Sequence, residues 1–343
     1  MSKRLDPKEF RRIVIKIGSS LLTDGSEGAV RQEWLEGFGR DVAALRSDGH
    51  EVVLVSSGAI AVGRGHLGMR RRILKLEEKQ AAAAVGQIRL SYVYQQVLRT
   101  HGLSVAQLLL TIGDTEQRRR YLNARNTMET LLRLGVVPLV NENDTVATEE
   151  IRFGDNDRLA ARVAEMASAN LLVLLSDIDG LYTSNPNINR QAKKMNNIKI
   201  IDLTIENMAG KKHSAISSGG MKTKIWAAKI CLNSGCSTVI ANGHKLNPLK
   251  MISKSNSSWF IATRSPRTAR KQWLLNHLHP SGTIIIDNGA TKAVFQNKSL
   301  LPAGVIEIKG KFSRGDVISV TNIKNKKIGI GVIAYDSNDA IKI

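Results

Sequence analysis

Apolar residues in this chain fall into short continuous runs separated by longer stretches with helical spacing. Ile13-Val-Ile-Lys-Ile17 is a β-branched run ending at Gly18, and Val30 to Leu45 follows with helical periodicity before the stop signal Ser47-Asp48-Gly49. Val52 to Val55 predicts a second strand, Glu78 to Thr100 a long helix closed by His101-Gly102, and Val105 to Leu110 a third strand. Arg118 to Leu134 reads as helix, Val136 to Val140 as strand, Asp157 to Ala167 as helix and Leu171 to Leu175 as strand. Thr223 to Asn233 and Thr238 to Ala241 add one more helix and strand. Strands that are apolar on both faces and alternate with helices predict a parallel sheet covered on both sides, an α/β layered domain over about residues 1–255. Beyond Asn256-Ser-Ser258 the pattern changes to short strands at Thr283 to Ile286, Val305 to Ile308, Val317 to Val320 and Ile328 to Ile333. Asp287-Asn-Gly289, Arg314-Gly-Asp316 and Asn322-Ile-Lys-Asn325 supply turn residues between them, which predicts a small all-β module, a candidate barrel.

Composition narrows the class. A chain of 343 residues suits two domains at about 150 residues each. Its apolar runs are far shorter than the ~20 residues of a bilayer span. The N-terminal stretch lacks the apolar core and cleavage site of a secretory signal, so a cytoplasmic, membrane-free protein is expected. The two cysteines, Cys231 and Cys236, supply neither a disulfide framework nor a four-ligand metal site, and Cys231 shares a helical face with Ala227, Ala228 and Leu232. Buried thiols are the expectation. The net charge of +20 is uneven: residues 1–182 carry 25 basic and 23 acidic side chains, residues 183–343 carry 25 and 7. A field this positive draws polyanions, whether nucleotides, RNA or acidic partners, although a solvated lysine-rich surface reads the same way.

In open parallel sheets ligands sit beyond the carboxyl ends of the strands, and five such ends carry unusual residues. Lys16-Ile-Gly-Ser-Ser20 puts a lysine at the end of a buried strand before glycine and hydroxyls; an ammonium there meets an anion or snorkels to solvent. Ser56-Ser57-Gly58-Ala59 runs from a strand into a helix start, an anion site by geometry or a simple N-cap. Asn141-Glu-Asn-Asp144 and Gly154-Asp-Asn-Asp157 place amides and carboxylates where they hold a ligand's amino group, orient lysines, or serve turns and caps. Ser176-Asp177 with Gly180-Leu-Tyr182 pairs with Ser218-Gly-Gly-Met-Lys-Thr-Lys224, a Gly-Gly turn with lysines and hydroxyls ahead of a helix, suited to nucleotide phosphates or serving as a flexible linker. Gly63-Arg-Gly65-His-Leu-Gly68 matches the dinucleotide pattern, but it begins well after its strand ends, inside or just beyond a helix. It is set aside, and no Walker-type loop occurs.

Taken together, Ile15-Lys-Ile-Gly-Ser-Ser20, Val55-Ser-Ser-Gly-Ala-Ile60, Asn141-Glu-Asn-Asp144, Gly154-Asp-Asn-Asp157, Ser176-Asp177 with Gly180-Leu-Tyr182, and Gly219-Gly-Met-Lys-Thr-Lys224 resemble the glutamate 5-kinases of the amino acid kinase fold. Thr283 to Ala290 and Lys311-Phe-Ser-Arg-Gly-Asp316 resemble the PUA domain that bacterial members carry. The resemblance implies an amino acid kinase domain over 1–257 and a PUA-like domain over 261–343. It also implies that the small barrel stops before a further helix and closing strand, leaving an unpaired edge.

The activity implied is transfer of the ATP γ-phosphate, with Mg2+, to the side-chain carboxylate of L-glutamate. Matched position by position, Lys16 and Lys224 are the flanking cations and Asp157 the carboxylate that holds them. Ser57, Asp144 and Asn156, with Asp155 nearby, correspond to glutamate positions. Lys16, Ser176, Asp177, Ser218, Gly219, Gly220, Met221, Lys222, Thr223 and Lys224 correspond to the ATP side. This chain has Ser217-Ser218 where the family has Gly-Thr, which keeps a hydroxyl and loses a glycine. The family further implies a homo-oligomer and coupling to the next enzyme of proline synthesis. Two alternatives stay open at this level: an amino acid kinase acting on aspartate, acetylglutamate or a nucleoside monophosphate, and an RNA-binding or regulatory protein that uses the basic half.

Overall fold

Every residue of Ile13 to Ile17 is buried, and alternate side chains of this strand enter two different cores. Ile13, Ile15 and Ile17 join Leu54, Val173 and Val239 on one face of the sheet, whereas Val14 joins Val53, Val140, Leu172 and Ile240 on the other. A strand with no solvent face needs helices on both sides, which explains why the runs are continuously apolar rather than alternating. The computed structural model that gives this arrangement describes residues 6–24, 28–69, 73–147, 156–186, 188–209, 220–253, 256–266, 268–269, 280–296 and 298–342. It divides into two units, Met1–Arg267 and Thr268–Ile343.

The first unit runs β1 (Arg12–Ile17), α1 (Ser19–Leu22), α2 (Gln32–Ser47), β2 (Glu51–Ser56), α3 (Ala59–His66), α4 (Leu76–Arg99), β3 (Val105–Leu110), α5 (Ile112–Glu116), α6 (Arg118–Arg133) and β4 (Val137–Glu142). It continues with α7 (Asn156–Met166), β5 (Leu171–Ser176), β6 (Asn197–Ile198), α8 (Leu203–Met208), α9 (Met221–Asn233), β7 (Ser237–Asn242) and β8 (Ser257–Phe260). The sheet order is β3-β4-β2-β1-β5-β7-β8-β6, and the first six of these strands are parallel. Strands β2 and β5 flank β1 on opposite sides, so the order reverses at β1, the position where α/β sheets open a ligand crevice.

The sheet is mostly parallel, as expected, and at its edge β8 runs antiparallel to β7 with β6 beyond it. The α/β unit continues past the expected residue 255, since Ser257 and Ser258 are fully buried inside β8. Their polarity is satisfied internally: Ser258 Oγ accepts the Leu181 N–H at 2.9 Å and Ser257 Oγ accepts Trp259 Nε1–H at 2.9 Å. Gly63 and Gly65 lie within α3, which agrees with setting the dinucleotide pattern aside. Cys231 and Cys236 are both buried free thiols, as expected. Among the described residues no helix is long and apolar enough to cross a membrane.

The second unit holds β9 (Gly282–Ile286), α10 (Asn288–Phe295), β10 (Val305–Lys309), β11 (Val317–Asn322), β12 (Lys327–Val332) and α11 (Ser337–Lys342). Its sheet has the order β10-β9-β11-β12 over a core of Ile284, Ile286, Phe312, Ile318 and Ile333. It is not all-β. Asp287-Asn-Gly289, expected as a turn, starts a helix because Asp287 Oδ1 accepts the Ala290 N–H at 2.6 Å as an N-cap. The Asn322 to Asn325 turn forms as expected, with Asn322 Oδ1 accepting the N–H groups of Lys324 and Lys326.

Helices α3 and α4 touch backbone to backbone. A Cβ on Gly86 would lie 1.8 Å from the Ala59 carbonyl oxygen, and one on Gly63 would lie 1.8 Å from that of Ala82. Gly86→Ala therefore forces the two helices apart and should cost about 3 kcal/mol. The check is a urea denaturation curve followed by far-UV circular dichroism, in which the variant's midpoint falls with little change in slope.

Candidate active site

Lys16 interrupts an otherwise apolar strand, and it lies on the same face of the sheet as Val14, the face on which α7 and α9 pack. Its ammonium reaches Asp157, the second residue of α7, with Nζ 2.8 Å from Oδ1. The other carboxylate oxygen takes Lys224 Nζ at 2.9 Å from the first turn of α9. Thr223 Oγ lies 3.0 Å from the same Oδ2 and 2.7 Å from the Gly220 carbonyl oxygen, so its single proton serves one or the other. Asp157 is wholly buried, and Lys16 and Lys224 are 7 % and 5 % exposed.

Three buried charges are tolerable only together. Burial pushes the Asp157 carboxyl up, but the Lys16 and Lys224 ammonium groups outweigh it and hold the carboxyl well below the usual carboxylate range. Each contact at this separation is worth on the order of 5 kcal/mol of attraction at an effective dielectric of about 20, set against several kcal/mol of desolvation per ion. The position of Asp157 in the first turn of α7 adds the favourable end of that helix's dipole. Arg158 and Arg162 of α7 lie over the Trp226 ring of α9 at 4.7 and 5.9 Å from its centroid, which ties together the two helices that present Asp157 and Lys224.

The strand ends around this trio carry the other expected residues. Ser57 is half-buried after β2, its N–H bonded to the Ile17 carbonyl, and Gly58 caps α3 at φ 105°, a left-handed conformation that suits glycine. Asp144 is half-buried in the turn after β4. Asn156 Nδ2 donates to the Ser56 carbonyl and to Asn141 Oδ1, both at 2.9 Å, and thereby ties α7 to β2 and β4. Ser176 Oγ donates to Asp177 Oδ1 at 2.8 Å at the end of β5, and Asn242 Nδ2 donates to the Asp177 carbonyl from the end of β7. Gly220, Met221 and Lys222 lead α9 with Lys222 exposed. Asp155, Ser218 and Gly219 lie outside the described residues.

Thr223 was expected on the ATP side, but its contact to Asp157 had no local signal in the sequence. Two further polar residues were not assigned a role. Asn141 was visible only as part of its cluster. Gln87 was detectable as a polar residue on the buried face of α4, between Ala83 and Leu90, and it accepts Asn141 Nδ2–H at 2.7 Å.

The buried trio predicts a specific pH dependence. Removing the carboxylate by Asp157→Asn leaves two ammonium groups buried against a neutral amide and should cost about 3 kcal/mol. Because the folded-state pKa is depressed, the wild-type advantage is complete above the unfolded value of about 4 and is lost as pH falls toward the folded one. Denaturation curves of the two proteins should therefore differ by a constant amount from pH 7 to pH 5 and converge below pH 4.

The amino acid kinase family model matches residues 11–242, and the PUA domain model matches residues 282–343. The chain is 54 % identical over 331 residues to the glutamate 5-kinase of Paramagnetospirillum magneticum, covering 96 % of this chain and 89 % of the relative. It is 53 % identical over 330 residues to the glutamate 5-kinase of Agrobacterium fabrum, covering 96 % and 85 %. Among solved structures, the carbamate kinase from Giardia lamblia bound to AMP-PNP aligns with a TM-score of 0.54 at 16 % identity, over 74 % of this chain and 99 % of that one. The UMP kinase from Ureaplasma parvum aligns with a TM-score of 0.52 at 14 % identity, over 73 % and 98 %. These two show a shared fold, while the profiles and the near full-length identities show kinship: the chain belongs to the amino acid kinase family, among the glutamate 5-kinases, with a PUA domain at its C-terminal end.

Proposed function

We propose that the chain transfers the γ-phosphoryl group of ATP to the side-chain carboxylate of L-glutamate, giving glutamyl 5-phosphate and ADP, the first step of proline synthesis. The observation that carries this reading is the buried Lys16–Asp157–Lys224 trio at the carboxyl ends of the strands in a chain of this family. A glutamate carboxylate oxygen attacks the γ-phosphorus, and the bond from that phosphorus to the oxygen bridging the β- and γ-phosphates breaks. No proton moves, since the acceptor is already ionised, so catalysis reduces to bringing an anion against a polyanion and stabilising the charge on the group in flight. Lys16 and Lys224 supply that charge, and Asp157 holds both ammonium groups to a fixed separation. Ser57, Asp144, Asp155 and Asn156 bind glutamate. Ser176, Asp177 and the 218–224 segment bind ATP.

Among the described residues no three His, Cys, Asp or Glu side chains group so as to hold a metal by themselves. The ion enters in this proposal as part of the MgATP substrate, and no step is assigned to it. A cytoplasmic location and assembly into a homo-oligomer belong to the same reading.

Purified protein with MgATP and L-glutamate should form an acyl phosphate that hydroxylamine traps as a hydroxamate, with aspartate at least about a hundredfold poorer in kcat/KM. Comparable turnover of aspartate would refute the substrate assignment and leave the kinase reading intact. Lys224→Ala should lower kcat by about a hundredfold or more while leaving KM for glutamate within a few fold, because its charge matters most in the transition state. Asp144→Ala should do the reverse, raising KM for glutamate about tenfold with little change in kcat, as steady-state kinetics at saturating ATP will read directly.

A further inference from the structure

We propose that Gln87, in the middle of α4, is a positioning residue for glutamate: it holds Asn141 in the orientation that keeps the Asn156 amide bonded to both Ser56 and Asn141. The inference rests on the assignment of Asn156 to glutamate made above.

The Ser56 carbonyl oxygen can only accept, so the Asn156 atom 2.9 Å from it is Nδ2. The second Nδ2 proton of Asn156 points at Asn141, which must present Oδ1, again at 2.9 Å. Asn141 is then left with Nδ2 on its far side, and only an acceptor satisfies it; Gln87 Oε1 lies there at 2.7 Å. That turns Gln87 Nε2 toward Ser91 Oγ, one helical turn along at 3.3 Å. Each link dictates the orientation of the next. Ser56, Asn141 and Gln87 are 1 %, 3 % and 8 % exposed, so water does not substitute for a missing partner at these positions.

The far end of the relay is anchored by packing. Gln87 follows Gly86, whose backbone lies against the Ala59 carbonyl, so α4 has no room to shift. The near end carries the consequence: with both of its amide protons consumed inside the protein, Asn156 offers its carbonyl oxygen as an acceptor, the polarity required for the α-ammonium group of an amino acid and wrong for a second carboxylate. A flipped Asn156 would set Oδ1 against the Ser56 carbonyl, acceptor against acceptor. Gln87 therefore supports, from outside the site, a preference for an acceptor substrate that carries an ammonium group.

The test compares Gln87→Met, which keeps the length and removes the acceptor, with Gln87→Glu, which keeps an oxygen for Asn141 Nδ2 and accepts from the Ser91 hydroxyl. Gln87→Met should raise KM for glutamate about tenfold, with kcat within about twofold and KM for ATP unchanged. Gln87→Glu should restore KM for glutamate to within about threefold of the parent. In an Asn156→Ala background the Gln87→Met effect on KM should disappear, because the relay then has nothing to orient. If Gln87→Met does not fold, Gln87→Asn, one methylene short of Asn141, takes its place with the same expectation. An Asn156→Ala protein with unchanged KM for glutamate would overturn the underlying assignment. A raised KM in Asn156→Ala with an unaffected Gln87→Met, additive effects in the double variant, or a loss in kcat and melting temperature that Glu does not rescue would overturn the relay alone.

Discussion

A carboxylate with no solvent exposure sits between two ammonium groups, and the arrangement of the α/β unit follows from the need to bring those three charges to one point. Lys16 comes from the central strand, Asp157 from the start of α7 and Lys224 from the start of α9, three segments spread over about 200 residues of chain. Each is held independently: Lys16 by strand register with β2 and β5, Asp157 by the Asn156 anchor beside it, Lys224 by the helix that packs on the same sheet face. Misplacing any one would leave an uncompensated charge in a region of low polarity, a cost larger than the rest of the site could absorb. The same constraint serves chemistry, because a pair of cations whose separation is fixed before substrate arrives needs no reorganisation when negative charge develops between them.

The architecture of this unit was legible because a sheet buried on both faces leaves an unambiguous trace. Runs such as Leu171 to Leu175 have no polar alternation, and a charged residue inside one, Lys16, stands out for that reason. The pairing partner of Lys16 was not legible from periodicity. Asp157 and Asn156 looked alike as helix-start residues, and only the family's motif order separated their roles. Ser257 and Ser258 misled in the opposite sense. Serines at a change of pattern read as the edge of a domain, yet their hydroxyls bond to Leu181 and Trp259 and let them enter a buried strand. Asp287 shows the ambiguity in its simplest form, since Asp-Asn-Gly serves a turn or a helix start equally well until the residues that follow are seen to coil.

Polar residues inside the fold were the hardest to read and do much of the positioning. Asp41 of α2, only 7 % exposed, accepts the N–H groups of Leu249 and Lys250 and so fastens the segment after β7 to a helix far away in sequence. Burial pushes its carboxyl up, an effect only partly offset by those bonds. Trp34 performs a similar service, donating its ring N–H to the Gly243 carbonyl. Neither contact has a local sequence signature, because each depends on a partner about two hundred residues away.

The two cysteines have a practical consequence of their own. Both lie in the α/β unit, one at the end of α9 and one just before β7, and both are sealed from solvent. Burial also pushes the Cys236 thiol well up, which starves it of the thiolate form that alkylating reagents attack. Labelling of the native protein therefore requires openings that expose α9 or its connection to β7. Since the chain has no other cysteine, the rate of labelling without denaturant reports the breathing of α9, which carries Lys224, together with that connection.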